Sequence, residues 1–218
     1  MQALIIAGGS IEDAFALDFV KKNTFDFVIA ADRGMEFFYR NGLVPDKIVG
    51  DFDSVKKEVF QYLKEKHPDI PILKFQPEKD ETDTELAIRT AIEAGCEKIW
   101  LLGATGTRLD HVIGNIHLLG MAMEQGCECI LVDPYNRIRM LNQGIRLKRE
   151  EQYGDYISLF PFTPEVKGLT LKGFKYPLQK YHFTCYHSLG VSNEISGDEA
   201  EISFEDGILL MVESKDKN

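Results

Sequence analysis

The chain has 218 residues, of which 44% are hydrophobic, and its 35 acidic and 25 basic residues give a formal net charge of −10 at pH 7. This length allows one large domain or two small ones, with a core that needs no disulfides. The acidic balance argues against a nucleic-acid partner, because phosphate backbones are bound by clustered Lys and Arg. No apolar run reaches the roughly 20 residues that span a bilayer, and no secretory signal is present, so we expect a cytoplasmic protein without a membrane partner.

The first two-thirds of the chain alternates short β-rich runs with helical patterns, which favours a parallel sheet covered by helices on both faces. The predicted strands are 3–7, 27–31, 47–49, 70–75, 98–102 and 129–132. The predicted helices are 12–20, 35–41, 55–66, 82–94 and a last one that reaches about residue 123. Thr82 and Glu85 have the spacing of a capping box, so Thr82 is expected to begin its helix.

After about Asn142 the helical spacing gives way to strand-like alternation, broken by frequent Gly and Pro. This pattern favours a small antiparallel sandwich. The predicted fold class is therefore α/β: an N-terminal doubly wound, mostly parallel sheet domain over 1–142 and a C-terminal antiparallel β-sandwich domain over 143–218.

Two carboxylates, Asp51 and Asp53, follow the third predicted strand. In an extended segment, residues two apart point the same way, so both can converge on one cation while Phe52 turns into the protein. Carboxylates are ligands that Mg²⁺ prefers, and Mg²⁺ completes its coordination with waters and substrate phosphates. A second acidic group, Asp80 to Asp83, comes at another predicted strand end. The alternative reading of such acids is helix caps and solvated turns.

The run from Gly103 to Asp110 combines a glycine-rich turn with Arg108 at a helix start. Exposed backbone N–H groups at such a turn bind phosphate, and the guanidinium of Arg108 can donate two hydrogen bonds to phosphate oxygens. The Gly-Lys-Ser/Thr ending of a Walker A loop is missing. Ligands of open α/β sheets lie outside the carboxyl ends of the strands, so this loop, the acidic loops and the loops at 8–9 and 32–34 can share one rim. We interpret Gly8-Gly9 as a plain tight turn.

Four motifs in order resemble those of the thiamine pyrophosphokinase family, and the resemblance covers nearly the whole chain. They are Pro45-Asp46 with Gly50-Asp51-Phe52-Asp53-Ser54, Asp80-Glu81-Thr82-Asp83, Gly103-Ala104-Thr105-Gly106-Thr107-Arg108-Leu109-Asp110-His111, and Val191-Ser192-Asn193-Glu194. The resemblance implies transfer of a diphosphoryl group from ATP to the hydroxyl of thiamine, giving thiamine diphosphate and AMP. It also implies a homodimer with sites at the subunit interface.

Carried over motif by motif, the resemblance implies three Mg²⁺ ligands: Asp51, Asp53 and Asp83. It implies that ATP is bound by Asp32, Gly103, Thr105, Gly106 and Arg108. It implies that thiamine is bound by Asp80, Asp110, Ser192 and Asn193. Asp80 and Asp110 are both candidates for the general base, and the sequence does not choose between them. The six residues expected to take part in catalysis are Asp51, Asp53, Asp80, Asp83, Arg108 and Asp110.

The chain departs from the family at two places. The family often places a C-terminal aromatic residue against thiamine, whereas the single Trp of this chain, Trp100, falls in a predicted core strand. Arg33 stands in Asp32-Arg33-Gly34, where other members tend to carry Asp-Gly-Gly, and its role is open.

Two other functions compete with this one. A phosphohydrolase of the haloacid dehalogenase type also uses a D-x-D pair after a strand, but that strand is usually longer and near the chain start, and here two predicted strands come earlier. A non-catalytic sensor of nucleotide or thiamine could use the same rim. The retention of all the acids argues against a sensor, because a binding protein does not need them all.

Overall fold

The computed structural model of the protein describes residues 1–75 and 80–217, and these fall into two compact units, Met1–Pro134 and Tyr135–Asn218. The boundary lies eight residues before the predicted one at 142/143, because strand β7, Asn136–Leu141, belongs to the second unit. The predicted fold class, an α/β domain followed by an antiparallel β domain, is confirmed.

The first unit is built on a six-stranded parallel sheet. Its strands are β1 (Gln2–Ile6), β2 (Phe27–Ala31), β3 (Lys47–Gly50), β4 (Ile72–Lys74), β5 (Lys98–Leu102) and β6 (Glu128–Val132). They lie in the order β4-β3-β2-β1-β5-β6, and every neighbouring pair is parallel. Strand β1 is buried from Ala3 to Ile6, as expected for a central strand covered on both faces.

The connecting helices are α1 (Asp13–Lys22), α2 (Met35–Asn41), α3 (Lys57–Lys66), α4 (Asp83–Glu93) and α5 (Leu109–Glu124). Helix α4 packs against β1, β2 and β3, and α5 packs against β6. Helix α2 ends at Gly42, which adopts φ 63°, a left-handed conformation that glycine tolerates best. No helix in the described ranges has the length and apolar character that a membrane span requires.

The direction of winding reverses at β1. From β1 the sheet grows through β2 and β3 to β4, and the chain then returns to add β5 and β6 on the other side of β1. The loops that follow β1 and β5 therefore flank a topological switch point, where open α/β sheets bind their ligands.

The second unit is a β-sandwich of two antiparallel sheets. Its further strands are β8 (Ile145–Lys148), β9 (Tyr156–Pro161), β10 (Glu165–Lys172), β11 (Leu178–Thr184), β12 (Glu199–Ser203) and β13 (Leu209–Ser214). One sheet includes β7-β13-β9, and the other has the order β11-β10-β12-β8. Both contribute to one apolar core, with Leu159 and Met211 from the first sheet and Leu169, Phe183 and Ile202 from the second.

Candidate active site

A cavity of about 620 Å³ lies at the carboxyl ends of the strands of the first unit. Segments from five loops line it: 7–10 after β1, 31–33 after β2, 51 and 54 after β3, 81–84 before and at the start of α4, and 103–108 after β5. The rim expected from the sequence is therefore present, and it surrounds the switch point between β1 and β5.

Three carboxylates meet on one side of this rim. Asp32, Asp51 and Asp53 each offer one oxygen, and these oxygens lie within 4.8 Å of one another. The parallel pairing of β2 with β3 places Ala31 opposite Val49, so the two strands end side by side and deliver Asp32 and Asp51 to the same place. Asp32 and Asp51 line the cavity, whereas Asp53 does not. Asp83 lines the cavity but is not one of the three.

A turn brings Asp51 and Asp53 together, rather than the strand alternation that the sequence argument used. Strand β3 ends at Gly50, Phe52 has φ 66°, and the backbone N–H of Asp53 donates to Oδ1 of Asp51 at 3.1 Å. The Phe52 ring lies 4.8 Å from that of Phe60 on α3, centroid to centroid, which anchors the turn. A side chain at φ 66° costs backbone strain, so the surrounding packing holds this loop in place.

Asp32 has the electrostatics of a cation ligand. Its Oδ2 accepts a hydrogen bond from the Ser54 hydroxyl, whereas its buried Oδ1 has no hydrogen-bond partner among the described residues. Burial raises the pKa of Asp32 above its ordinary value, and the negative charges of Asp83 and Asp51 raise it further. A hard divalent cation among these oxygens would satisfy Oδ1 and offset the repulsion, so the donor set fits Mg²⁺.

Two glycine-containing loops close the opposite side of the cavity. The N–H of Gly9 donates to the carbonyl of Gly103, and the N–H of Ser10 donates to the carbonyl of Thr105, both at 2.7 Å. A Cβ at Gly9 would lie 2.4 Å from each of these carbonyl oxygens, so only glycine allows this approach. The segment Gly8-Gly9, interpreted from the sequence as a plain turn, is thus part of the cavity wall.

The loop 103–108 leads directly into α5, and its residues Gly103, Thr105, Gly106 and Arg108 all line the cavity. The side chain of Asn115 on α5 donates to the carbonyl of Ala104 at 2.8 Å and fixes the loop to the helix. The N-cap residue of α5, Arg108, makes no side-chain cap, and in the first turn the N–H of His111 donates to Oδ1 of Asp110 at 3.0 Å. The N–H groups of Leu109 and Asp110 and the positive end of the helix dipole are the elements of an anion site.

Arg108 and Asp110 form a bidentate pair at the mouth of the cavity. Nε of Arg108 lies 3.2 Å from Oδ1 of Asp110, and Nη2 lies 2.5 Å from Oδ2. Both side chains are exposed, and the Arg108 guanidinium lowers the pKa of Asp110 to about 2. This pairing makes Asp110 a weak proton acceptor and lets it orient Arg108.

Asp80 is exposed, and neither Asp80 nor Asp110 is among the described residues that line the cavity. Sequence reasoning gave no role to Ser54 or Asn115, and it left His111 without one, although all three line the cavity. The available signals were the position of Ser54 in the loop after β3 and the positions of His111 and Asn115 in the first turns of α5, the helix that follows the glycine loop. The side-chain contacts of Ser54 and Asn115 come from folding and have no pattern in the sequence.

Ser192 and Asn193 lie in the second unit. Asn193 is buried, and its Oδ1 accepts from the N–H groups of Tyr176 and Glu194 at 3.0 Å each while its Nδ2 donates to the carbonyl of Tyr176 at 2.9 Å. Ser192 is exposed and adopts φ 57°, and its backbone N–H donates a hydrogen bond to the hydroxyl of Ser158 at 2.9 Å. The Asn193 amide therefore holds the loop at Tyr176, and Ser192 presents its hydroxyl to solvent.

Comparison with known proteins gives matches over both units. Residues 21–131 match the family described as thiamin pyrophosphokinase, catalytic domain, and residues 142–209 match thiamin pyrophosphokinase, vitamin B1 binding domain. The chain is 36% identical over 188 residues to the thiamine pyrophosphokinase of Bacillus subtilis (strain 168), covering 86% of this chain and 87% of the relative.

Solved structures give the same result. The crystal structure of the thiamine pyrophosphokinase from Bacillus subtilis matches with a TM-score of 0.89 at 32% identity, covering 100% of both chains. That of the thiamin pyrophosphokinase from Geobacillus thermodenitrificans matches with 0.87 at 32% identity, covering 100% of this chain and 99% of the other. The yeast thiamin pyrophosphokinase, at 19% identity and a TM-score of 0.80 over 98% of this chain and 86% of its own, shares the fold.

Proposed function

The chain belongs to the thiamine pyrophosphokinase family, and from that premise we propose that it transfers the diphosphoryl group of ATP to the hydroxyl of thiamine with Mg²⁺, giving thiamine diphosphate and AMP. The observation that carries this proposal is the single cavity that places carboxylates opposite a glycine loop and a helix N-terminus. Phosphoryl transfer requires mainly positioning and charge neutralisation, and these two surfaces supply both.

In this proposal Asp32, Asp51 and Asp53 hold Mg²⁺, with Asp83 completing the acidic wall. The metal, when bound, neutralises charge on the phosphate oxygens and on the leaving group. Gly103, Thr105 and Gly106 hold the phosphates of ATP through the loop, together with Arg108. Asp32, assigned to the nucleotide site from the sequence, serves that site through the cation.

The reaction itself exchanges one phosphorus–oxygen bond for another. The hydroxyl oxygen of thiamine bonds to the β-phosphorus while the bond from that phosphorus to the α,β-bridging oxygen breaks, so AMP leaves. The hydroxyl proton passes to a nearby carboxylate or to solvent. Asp80 and Asp110 are the two candidates, and the pairing with Arg108 lowers the pKa of Asp110 to about 2, which makes that carboxylate a weak base.

Thiamine is proposed to bind through the β-sandwich unit at 192–193. Ser192 offers its exposed hydroxyl, and Asn193 acts chiefly by fixing the loop at Tyr176, with one amide N–H left for the substrate. A cytoplasmic setting is supported by four free cysteines, three of them buried.

A homodimer with sites at the subunit interface is part of the same proposal. Support comes from Leu189 and Val191, two apolar residues that are exposed within the same turn. Exposed apolar side chains that lie close together are typical of interaction surfaces. Sedimentation of the protein should give about twice the 24.8 kDa chain mass. A monomer at all working concentrations would contradict this assembly.

The test of the activity is a product assay with ATP, Mg²⁺ and thiamine. We expect AMP and thiamine diphosphate in equal amounts, formed only when thiamine is present and abolished by a chelator. Free phosphate without thiamine would identify a phosphohydrolase, and binding without turnover would identify a sensor. Either result would overturn the proposal.

A further inference from the structure

Arg33 occupies a position in the cavity wall that neither the sequence motifs nor the catalytic proposal explains. It lies in a 3₁₀ turn, Asp32–Gly34, between β2 and α2, and it lines the cavity. The next residue, Gly34, packs so closely on β1 that a Cβ there would lie 1.9 Å from the carbonyl oxygen of Ile6. The turn that carries Arg33 is therefore fixed against the sheet.

The base of the Arg33 side chain packs on the loop after β1. A Cβ at Gly8 would lie 3.0 Å from the Cβ of Arg33, so the glycine makes room for this arginine. The turn that carries Arg33 therefore lies between the loop that follows β3 and the paired glycine loops that follow β1 and β5. A polyphosphate bound across the switch point must pass the same place.

Arg33 also differs from the other arginine of the cavity in its partners. Arg108 is held by both oxygens of Asp110. Arg33 is exposed and forms no ion pair within the described residues, although acidic side chains line the same cavity. An always-charged guanidinium without an ion-pair partner in 1–75 and 80–217, in a cavity proposed to bind phosphates, has its donors available for ligand oxygens.

We propose that Arg33 is a substrate-binding residue that contacts non-bridging oxygens of the β- and γ-phosphates of ATP. The inference rests on the proposed function and adds a specific residue to it. The β- and γ-phosphates are chosen because Arg33 directly follows Asp32, one of the carboxylates that would hold Mg²⁺, and a cation there would neutralise the diphosphoryl group that is transferred. A triphosphate keeps negative charge after one divalent cation is bound, and Arg33 supplies the counter-charge.

The test compares nucleotide binding by calorimetry, with Mg²⁺ and without thiamine, in the unaltered protein, Arg33→Gln and Arg33→Lys. For Arg33→Gln we expect ATP to bind about tenfold more weakly or worse, with AMP affinity unchanged within about twofold. Arg33→Lys keeps the charge without the planar fork and should fall between. Arg146→Gln, which removes an exposed arginine outside the cavity, is the matched control and should bind ATP normally.

Each result decides the inference separately from the activity. Unchanged ATP affinity in a folded Arg33→Gln protein overturns it, and equal weakening of ATP and AMP overturns the assignment to the β- and γ-phosphates. If the unaltered protein forms no AMP with thiamine, the proposed function fails whatever the variant does. Normal turnover together with unchanged ATP affinity in Arg33→Gln contradicts only the role of Arg33.

Discussion

Asp32 shows how a residue joins a cluster of carboxylates that its local sequence does not reveal. The D-x-D motif identifies Asp51 and Asp53 because two nearby acids are visible in the sequence, whereas Asp32 stands alone 19 residues earlier. The parallel register of β2 and β3 brings Asp32 beside them, and Ser54 then fixes one of its oxygens. The family resemblance assigned Asp32 to the nucleotide site, and the pairing of strands decides which carboxylates lie close enough to share a cation.

We predict that Asp32→Asn removes the Mg²⁺ dependence of stability without unfolding the protein. Because the pKa of Asp32 is raised above the ordinary value of 3.8, the folded protein without metal disfavours the ionised form. That carboxylate therefore costs stability as the pH rises above the unfolded value. The variant should melt at the same temperature as the unaltered protein or higher without metal, and it should lose most of the increase that MgCl₂ produces.

The matched control is Asp18→Asn, which removes an exposed carboxylate outside the cavity and should keep the full response to MgCl₂. The measurement is thermal unfolding at neutral pH over a range of MgCl₂ concentrations. An Asp32→Asn protein that responds to MgCl₂ as the unaltered one does would remove Asp32 from the cation site.

At the scale of elements, local sequence patterns predicted most strands and helices. The features that they did not predict depend on contacts between residues far apart in the chain. Thr82 caps α4 as expected, with its hydroxyl accepting from the N–H of Glu85 at 3.2 Å. Helix α3 begins at Lys57, two residues after the predicted start. The joining of the loops after β1 and β5 could not be predicted, because it depends on two strands almost 100 residues apart becoming neighbours.

We predict that Gly9→Ala separates those two loops and weakens ATP binding. The new Cβ would meet the carbonyls of Gly103 and Thr105 at 2.4 Å, so the hydrogen bonds from Gly9 and Ser10 must lengthen or break. The loss of these two backbone hydrogen bonds should lower the free energy of unfolding by about 1–3 kcal/mol. Urea unfolding and ATP titration measure the two effects.

Gly114→Ala is the control for this glycine. Gly114 lies within α5 with no atom within 4 Å of an added Cβ, so alanine there should raise the free energy of unfolding by about 0.5–1 kcal/mol. If Gly9→Ala is as stable as the unaltered protein and binds ATP equally well, the loop pairing has no part in the site.

For the whole molecule, composition and pattern predicted an α/β unit followed by a β-sandwich, and both are present. Strand β7 lies before the predicted boundary, and its antiparallel partner β13 is near the C-terminal end of the chain, so local sequence does not reveal this pairing. The cysteines of the two units differ in burial. Cys96, Cys127 and Cys129 are buried in the first unit, and Cys185 is exposed in the second.

We predict that iodoacetamide at pH 8 modifies only Cys185 in the folded protein. Burial raises the pKa of the Cys96 and Cys129 thiols and raises that of Cys127 to about 11, so all three stay neutral at pH 8, and the thiolate is the reactive form. Mass spectrometry should show one label on the native protein and four in denaturant. A Cys185→Ser protein should take up none while folded, and rapid native labelling of Cys127 would contradict the burial of the segment between α5 and β6.

The central claim is that one cavity transfers a diphosphoryl group intact from ATP to thiamine. ATP labelled with ³²P at either the α- or the β-phosphate, incubated with the protein, Mg²⁺ and thiamine, follows that group directly. The β label should appear in thiamine diphosphate and the α label only in AMP. Recovery of the β label in ADP or free phosphate, with thiamine monophosphate or no thiamine product, would contradict the account.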